Sequence, residues 1–167
     1  MFGRGGEEAL ALHQAGIAVE IVPGLSSAWG APALGAVPVT HRGIAASVMV
    51  LEGHDPETLE WDVLSKTHAT LVMLMAMGTI GVIAERLMEE GRDGATPAAV
   101  IEHASCPEQR VVRTTLRRLA HVIRTEQLAQ PSVIVVGAVT DVLPMPAVLS
   151  SPLARQRMHP GCCKRPI

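Results

Sequence analysis

The chain has 167 residues, of which 48% are hydrophobic and only 18% charged, so it can bury the core of an ordinary domain and is no disordered polyelectrolyte. Fourteen Lys and Arg stand against sixteen Asp and Glu, a formal net charge of −2, which argues against a dedicated nucleic-acid binder. Aromatic residues make up 2%, which leaves few platforms for stacking bases or flat ligands.

The opening Gly3-Arg4-Gly5-Gly6 predicts a flexible lead-in to a helix over 7–14. Glu7 and Glu8 sit in its favoured first turn, and Gly16 closes it. Residues 17–22 alternate with Ile17, Val19 and Ile21 on one face, a β pattern stopped by Pro23-Gly24. Ser26 or Ser27 caps a short helix over 28–34. A second unit begins near Pro38: a strand over 47–51, then a helix to about residue 65 opened by Asp55-Pro56-Glu57. A strand over 70–75 follows. Thr79 opens the strongest helix, with Ile80, Ile83, Ala84 and Leu87 on one stripe and Gly91 at its end. Short strands are predicted over 98–101 and 111–113. Thr114 or Thr115 caps a helix over 116–127, and a last strand runs over 133–136. Strands and helices alternate, which predicts α/β layering. Residues 143–167 read as a Pro-rich, basic, flexible tail.

No signal peptide or membrane span is predicted: the start lacks a long apolar run, and the most apolar stretch, 69–77, is far too short. Three cysteines cannot all pair with one another, and the composition suggests a cytoplasmic protein with free thiols. The histidines make no His-Glu-x-x-His pair, and His103 with Cys106 supplies only two ligands, so no metal site is predicted. No serine sits in a Gly-x-Ser-x-Gly turn, and no catalytic side chain is singled out. Thr40-His41-Arg42 is a polar cluster at the junction of the two units, suited to a carboxylate-rich ligand or to plain solvent exposure. Met73, Met75 and Met77 alternate, so a shared face is predicted, either core filler or the wall of an adenosyl pocket. The glycine-rich start has a helix ahead of it but no strand behind. Either it is a flexible terminus, or an upstream half is missing.

The run FGRGGEEALALHQAGIAVEIVPGLSSAWGAPALGAVPVTHRGIAASV, residues 2–48, resembles the middle of the uroporphyrinogen-III C-methyltransferases of the tetrapyrrole methylase superfamily. The resemblance continues in order through Thr70-Leu71-Val72 with Leu74-Met75, Thr96-Pro97, Glu102, Gln109-Arg110 with Thr115-Leu116, and 131–137, and covers about residues 1–140.

This resemblance implies a tetrapyrrole methylase fold in which 1–37 is the trailing part of the first, cofactor-side domain and 38–142 is the mixed-sheet second domain. It implies S-adenosyl-L-methionine as methyl donor, with Ser26, Ser27, Met75 and the backbone at Ala104 beside it. Thr40, His41 and Arg42 would lie near a tetrapyrrole substrate. The reaction would be C-methylation of uroporphyrinogen III to precorrin-2, on the way to siroheme or cobalamin, with no metal and with a homodimer as the complete form. Met1 falls inside the family's GDPFVFGRG motif, which implies an N-terminally truncated chain of impaired activity. The alternative is an inactive fragment or structural partner domain that needs a complementary N-terminal half. Ala76 and Ala104 stand where the family has glycine, and a Cβ at either place would crowd the cofactor if it pointed that way. Glu52 stands where Thr is usual.

Overall fold

Five apolar runs pair into one mixed sheet in the computed structural model, which describes residues 2–144. They are β1 (Val48–Glu52), β2 (Thr70–Leu74), β3 (Pro97–Glu102), β4 (Arg110–Thr115) and β5 (Ser132–Val136). Their order across the sheet is β1-β2-β5-β3-β4. β1 and β2 run parallel, whereas β5 is antiparallel to both of its neighbours, β2 and β3, and β4 is antiparallel to β3. β1, β2 and β3 therefore point the same way. Their carboxyl ends gather at one edge together with the first residues of β4 and β5.

The period-2 alternation of the strands sorts side chains to two faces. Leu71, Met73, Val100, Ile134 and Val136 face a layer made by α4 (Ile80–Glu89) and α5 (Leu119–Thr125). Ile80, Ile83, Ala84 and Leu87 are buried there, as the stripe predicts. Val72, Leu74, Ala99, Ile101, Val133 and Val135 face the other way, against Val37 and α2 (Ser27–Leu34), which contributes Ala28 and Ala31. The α/β class predicted from the alternation is what the chain adopts.

Several boundaries differ from the sequence reading. The first helix, α1 (Gly5–Gln14), begins earlier than predicted, and none of its residues is buried. Residues 17–22 form no strand. A strand exists only through hydrogen bonds to a neighbour, and no ladder reaches this segment. Ile21 and Val22 are instead 79% and 80% exposed. The helix expected after Asp55 is two pieces: a single 3-10 turn at Pro56–Thr58, capped by Asp55, and α3 (Trp61–Lys66). The helix expected from residue 116 likewise opens with a 3-10 turn at Leu116–Arg118, and the Thr115 side chain does not cap it. Residues 145–167, nearly all of the predicted tail, lie outside the described residues. Cys106 is disulfide-bonded, which corrects the free-thiol expectation at that position. Among the described residues no helix is long and apolar enough to cross a membrane.

Ser26 has extended backbone, and its hydroxyl accepts a hydrogen bond from the Ala28 amide at 3.2 Å, so it is the N-cap of α2. Loss of such a cap costs about 1 kcal/mol. Ser26→Ala is expected to show that loss in denaturant unfolding, with Ser26→Asp restoring most of it.

Candidate functional site

In sheets of this kind, ligand sites form beyond the carboxyl ends of parallel strands, where chains leave the sheet in different directions. Here that edge holds a cavity of about 300 Å³. Leu74, Met75 and Met77 line it from the end of β2, Ser27 from the start of α2, and Gln130 to Ser132 from the start of β5. Phe2 completes the lining. Beside it the backbone takes up unusual conformations. Met75, His103 and Ser105 all have positive φ, at 57°, 46° and 71°. Non-glycine residues seldom occupy this region, and such strain gathers at functional sites.

The left-handed turn at Met75 has a direct consequence. It ends the alternation of β2, so Met73, Met75 and Met77 do not share a face. Met73 is 1% exposed in the core, Met75 is 47% exposed at the cavity, and Met77 packs against the edge of the same core as Met73. Ala76 follows, and its methyl group is directed away from the cavity. It lies in the core against Gly53, where a Cβ would come within 2.4 Å of it. The concern that a methyl at 76 crowds a ligand is thus answered by its direction. Ala104 packs its side chain on the core beneath α2, between the two strained residues His103 and Ser105. Gln109 ties this turn down: its side-chain oxygen accepts from the Ser105 amide at 2.9 Å, and its amide group donates to the Leu34 carbonyl at 3.1 Å.

Of the residues singled out in the sequence, Ser27 and Met75 line one cavity, and Ala104 lies on the turn that leaves the same sheet edge. Ser26 is engaged by its capping role. Thr40, His41 and Arg42 lie on an exposed turn in which His41 pairs with Ala45 and Gly43 has φ 80°. This turn leads into the amino end of β1, and Ile44 and Ala45 line a second cavity, of about 330 Å³. That cavity also touches Thr70 at the start of β2 and Gly137 beyond the end of β5, so it sits at the opposite edge of the sheet. Arg92 borders it and donates to the Leu64 and Thr67 carbonyls at 2.7 and 3.5 Å, closing off the end of α3. Burial lowers its guanidinium pKa from the ordinary value.

Met77 belongs to the methionine run read as core filler or pocket wall; Leu74, Gln130, Pro131 and Ser132 were not anticipated as site residues. Local patterning holds no signal for the last three. They reach the cavity because β5 inserts beside β2, pairing Leu74 with Val133. Among the described residues no group of three His, Cys, Asp or Glu side chains is placed to hold a metal ion.

The model of the tetrapyrrole (corrin/porphyrin) methylases matches residues 1–120. The chain is 41% identical over 145 residues to the uroporphyrinogen-III C-methyltransferase of Priestia megaterium, covering 84% of this chain and 61% of that one. It is 40% identical over 144 residues to the S-adenosyl-L-methionine-dependent uroporphyrinogen III methyltransferase of Methanosarcina barkeri, covering 83% and 56%. Among solved structures, a uroporphyrin-III C-methyltransferase from Thermus thermophilus, complexed with S-adenyl homocysteine, superposes with a TM-score of 0.73 at 33% identity, covering 86% of this chain and 63% of that one. The chain thus spans less than two thirds of the length of these relatives.

Proposed function

The chain belongs to the tetrapyrrole (corrin/porphyrin) methylases, and from that membership we propose that it serves the S-adenosyl-L-methionine-dependent C-methylation of uroporphyrinogen III to precorrin-2. The cavity at Met75 supports this reading most directly. Its lining is mainly apolar, with two thioethers, a phenyl ring, a proline and a leucine, and Ser27, Gln130 and Ser132 add a few polar groups. That mixture fits one side of an amphiphilic nucleoside. When bound, S-adenosylmethionine supplies the methyl group, so the residues present need only orient it and exclude water. Ser27 and Met75 form one wall, and the backbone at Ala104 contributes from the adjoining turn. Residues 1–37 belong to the cofactor-side domain and 38–142 to the second. Thr40, His41 and Arg42 meet the carboxylates of the tetrapyrrole, and the complete enzyme is a homodimer.

A second reading has its own observation. None of the side chains of α1 is buried, and Leu10, Ile17, Ile21, Val22 and Leu25 are all exposed. Large apolar surfaces of this kind mark places where another unit packs. In this reading the chain is a partner domain, active only when a complementary N-terminal α/β half covers this face.

One assay separates the two. The chain is incubated with S-adenosylmethionine and uroporphyrinogen III, and dimethylated product is measured by mass. A chimera, in which the part of the Priestia megaterium relative preceding the aligned stretch is joined ahead of Phe2, is measured beside it. Product from both, within about tenfold, supports the first reading. Product from the chimera alone supports the second, and product from neither refutes the methylation itself.

A further inference from the structure

Glu102 is the one charged side chain among the described residues that is almost fully buried, at 4% exposure. It is the last residue of β3, and both of its oxygens are engaged. Oε1 accepts from the Ala129 amide at 2.6 Å, and Oε2 faces the Arg110 guanidinium at 3.4 Å, directly across the β3–β4 pair. Arg110 continues the chain of contacts to Glu126, donating to its main-chain oxygen at 3.0 Å and approaching its carboxylate at 3.4 Å. His103, the next residue, adds two more links to the same connection. Its amide donates to the Pro131 carbonyl at 2.9 Å, and its ring Nε2 donates to the Gln130 carbonyl at 3.0 Å. The segment held in this way, Ala129 to Ser132, is the one whose last three residues line the Met75 cavity.

We propose that Glu102 is a positioning residue for that cavity: it touches no ligand itself, but fixes the Gln130–Ser132 wall and thereby sets the affinity for the adenosyl ligand. The second part rests on the function proposed above. The chemistry requires a carboxylate. The Ala129 amide donates to one oxygen, and the other faces the Arg110 guanidinium as its ion-pair partner, so the site takes an acceptor on one side and a negative charge on the other. Glutamine keeps one acceptor but turns an NH₂ toward the guanidinium, donor against donor. Alanine leaves the Ala129 amide without the carboxylate that holds it, so the segment loses one of its ties to β3.

The test uses the full chain and two readouts. Amide hydrogen exchange by NMR compares Ala129 and Ser132 with the β2 amides, which report global opening. Titration with S-adenosylhomocysteine, followed by chemical shift, gives the affinity. In Glu102→Ala, exchange at Ala129 is expected to rise about tenfold beyond any rise in β2, with about tenfold weaker binding. Glu102→Gln should shift both readouts in the same direction. Combining it with Arg110→Met should recover most of the loss, because the opposing donors are gone. Leu87→Val, on the buried stripe of α4, should lower the melting temperature without changing affinity. The proposal is overturned if exchange at Ala129 rises only in step with β2, or if local exchange rises while affinity stays unchanged. If the unaltered chain shows no binding at all, the same titration is run on the chimera described above: no binding there either overturns the cofactor reading, and exchange alone then decides whether Glu102 positions the wall.

Discussion

Gly53→Ala is expected to melt about 5 °C or more below the unaltered chain, a loss of roughly 2 kcal/mol from overpacking in a domain of this size. Gly53 follows β1 directly and has no freedom to move aside. Its amide donates to the Leu74 carbonyl at 2.8 Å, and its carbonyl accepts from the Thr79 hydroxyl at 2.5 Å. A new Cβ would stand 2.4 Å from the Ala76 Cβ, 2.8 Å from the Ala76 Cα and 3.2 Å from the Ile83 Cδ1. Ala76→Gly removes the worst of these contacts, so the double variant should regain more than the single effects add up to. The Ala76 Cα remains close, so recovery should be incomplete. Calorimetric melts of the four forms give the coupling directly. A single Gly53→Ala variant melting within about 1 °C of the original would contradict the packing described for this corner.

The largest effect on binding is expected at the cavity itself. The chain by itself should hold S-adenosylmethionine with a dissociation constant weaker than about 10 μM, or roughly −7 kcal/mol. The Met75 cavity, at about 300 Å³, lies at the lower end of the range for small-molecule sites. It presents one wall, while the cost of immobilising the ligand is undiminished. Whatever binding there is should be abolished by Met75→Asp, which places a carboxylate in a mainly apolar lining. Met75 is half exposed and outside the core, so this variant should fold normally. Isothermal titration of both forms checks this. Tight binding by the original chain would mean that the described cavity suffices. Binding insensitive to Met75→Asp would put the ligand elsewhere.

The elements most legible in the sequence were those that bury one regular face. The Ile80-Ile83-Ala84-Leu87 stripe and the strands around Leu71, Val100 and Ile134 needed no knowledge of their neighbours. Where the outcome depended on a neighbour, local pattern failed. Ile17, Val19 and Ile21 alternate as a strand should, yet no partner strand reaches them. Met75 continues a perfect alternation, yet its backbone turns left-handed and redirects everything after it. Of the residues at the candidate site, Ser27, Met75 and Ala104 were recognisable through the family resemblance. Gln130 to Ser132 were not, because only the insertion of β5 beside β2 brings them there. Glu102 stood out as part of a motif, but its burial and its hold on Ala129 are properties of the folded sheet alone.

The last strand among the described residues, β5, occupies the middle of the sheet. As the polypeptide leaves the ribosome, β1 and β2 can meet early, and β3 and β4 can close as a hairpin. The two halves nevertheless share no edge until residues 132–136 emerge and are inserted between them. Until then the nascent chain carries two unfinished sheets, each with a bare apolar margin open to wrong pairing. Folding of this architecture is therefore a late, concerted event that depends on distant contacts, and it should be slow for a chain of this length. A polypeptide ending before β5 would lack the strand that joins the two halves, even though more than three quarters of its sequence would be intact.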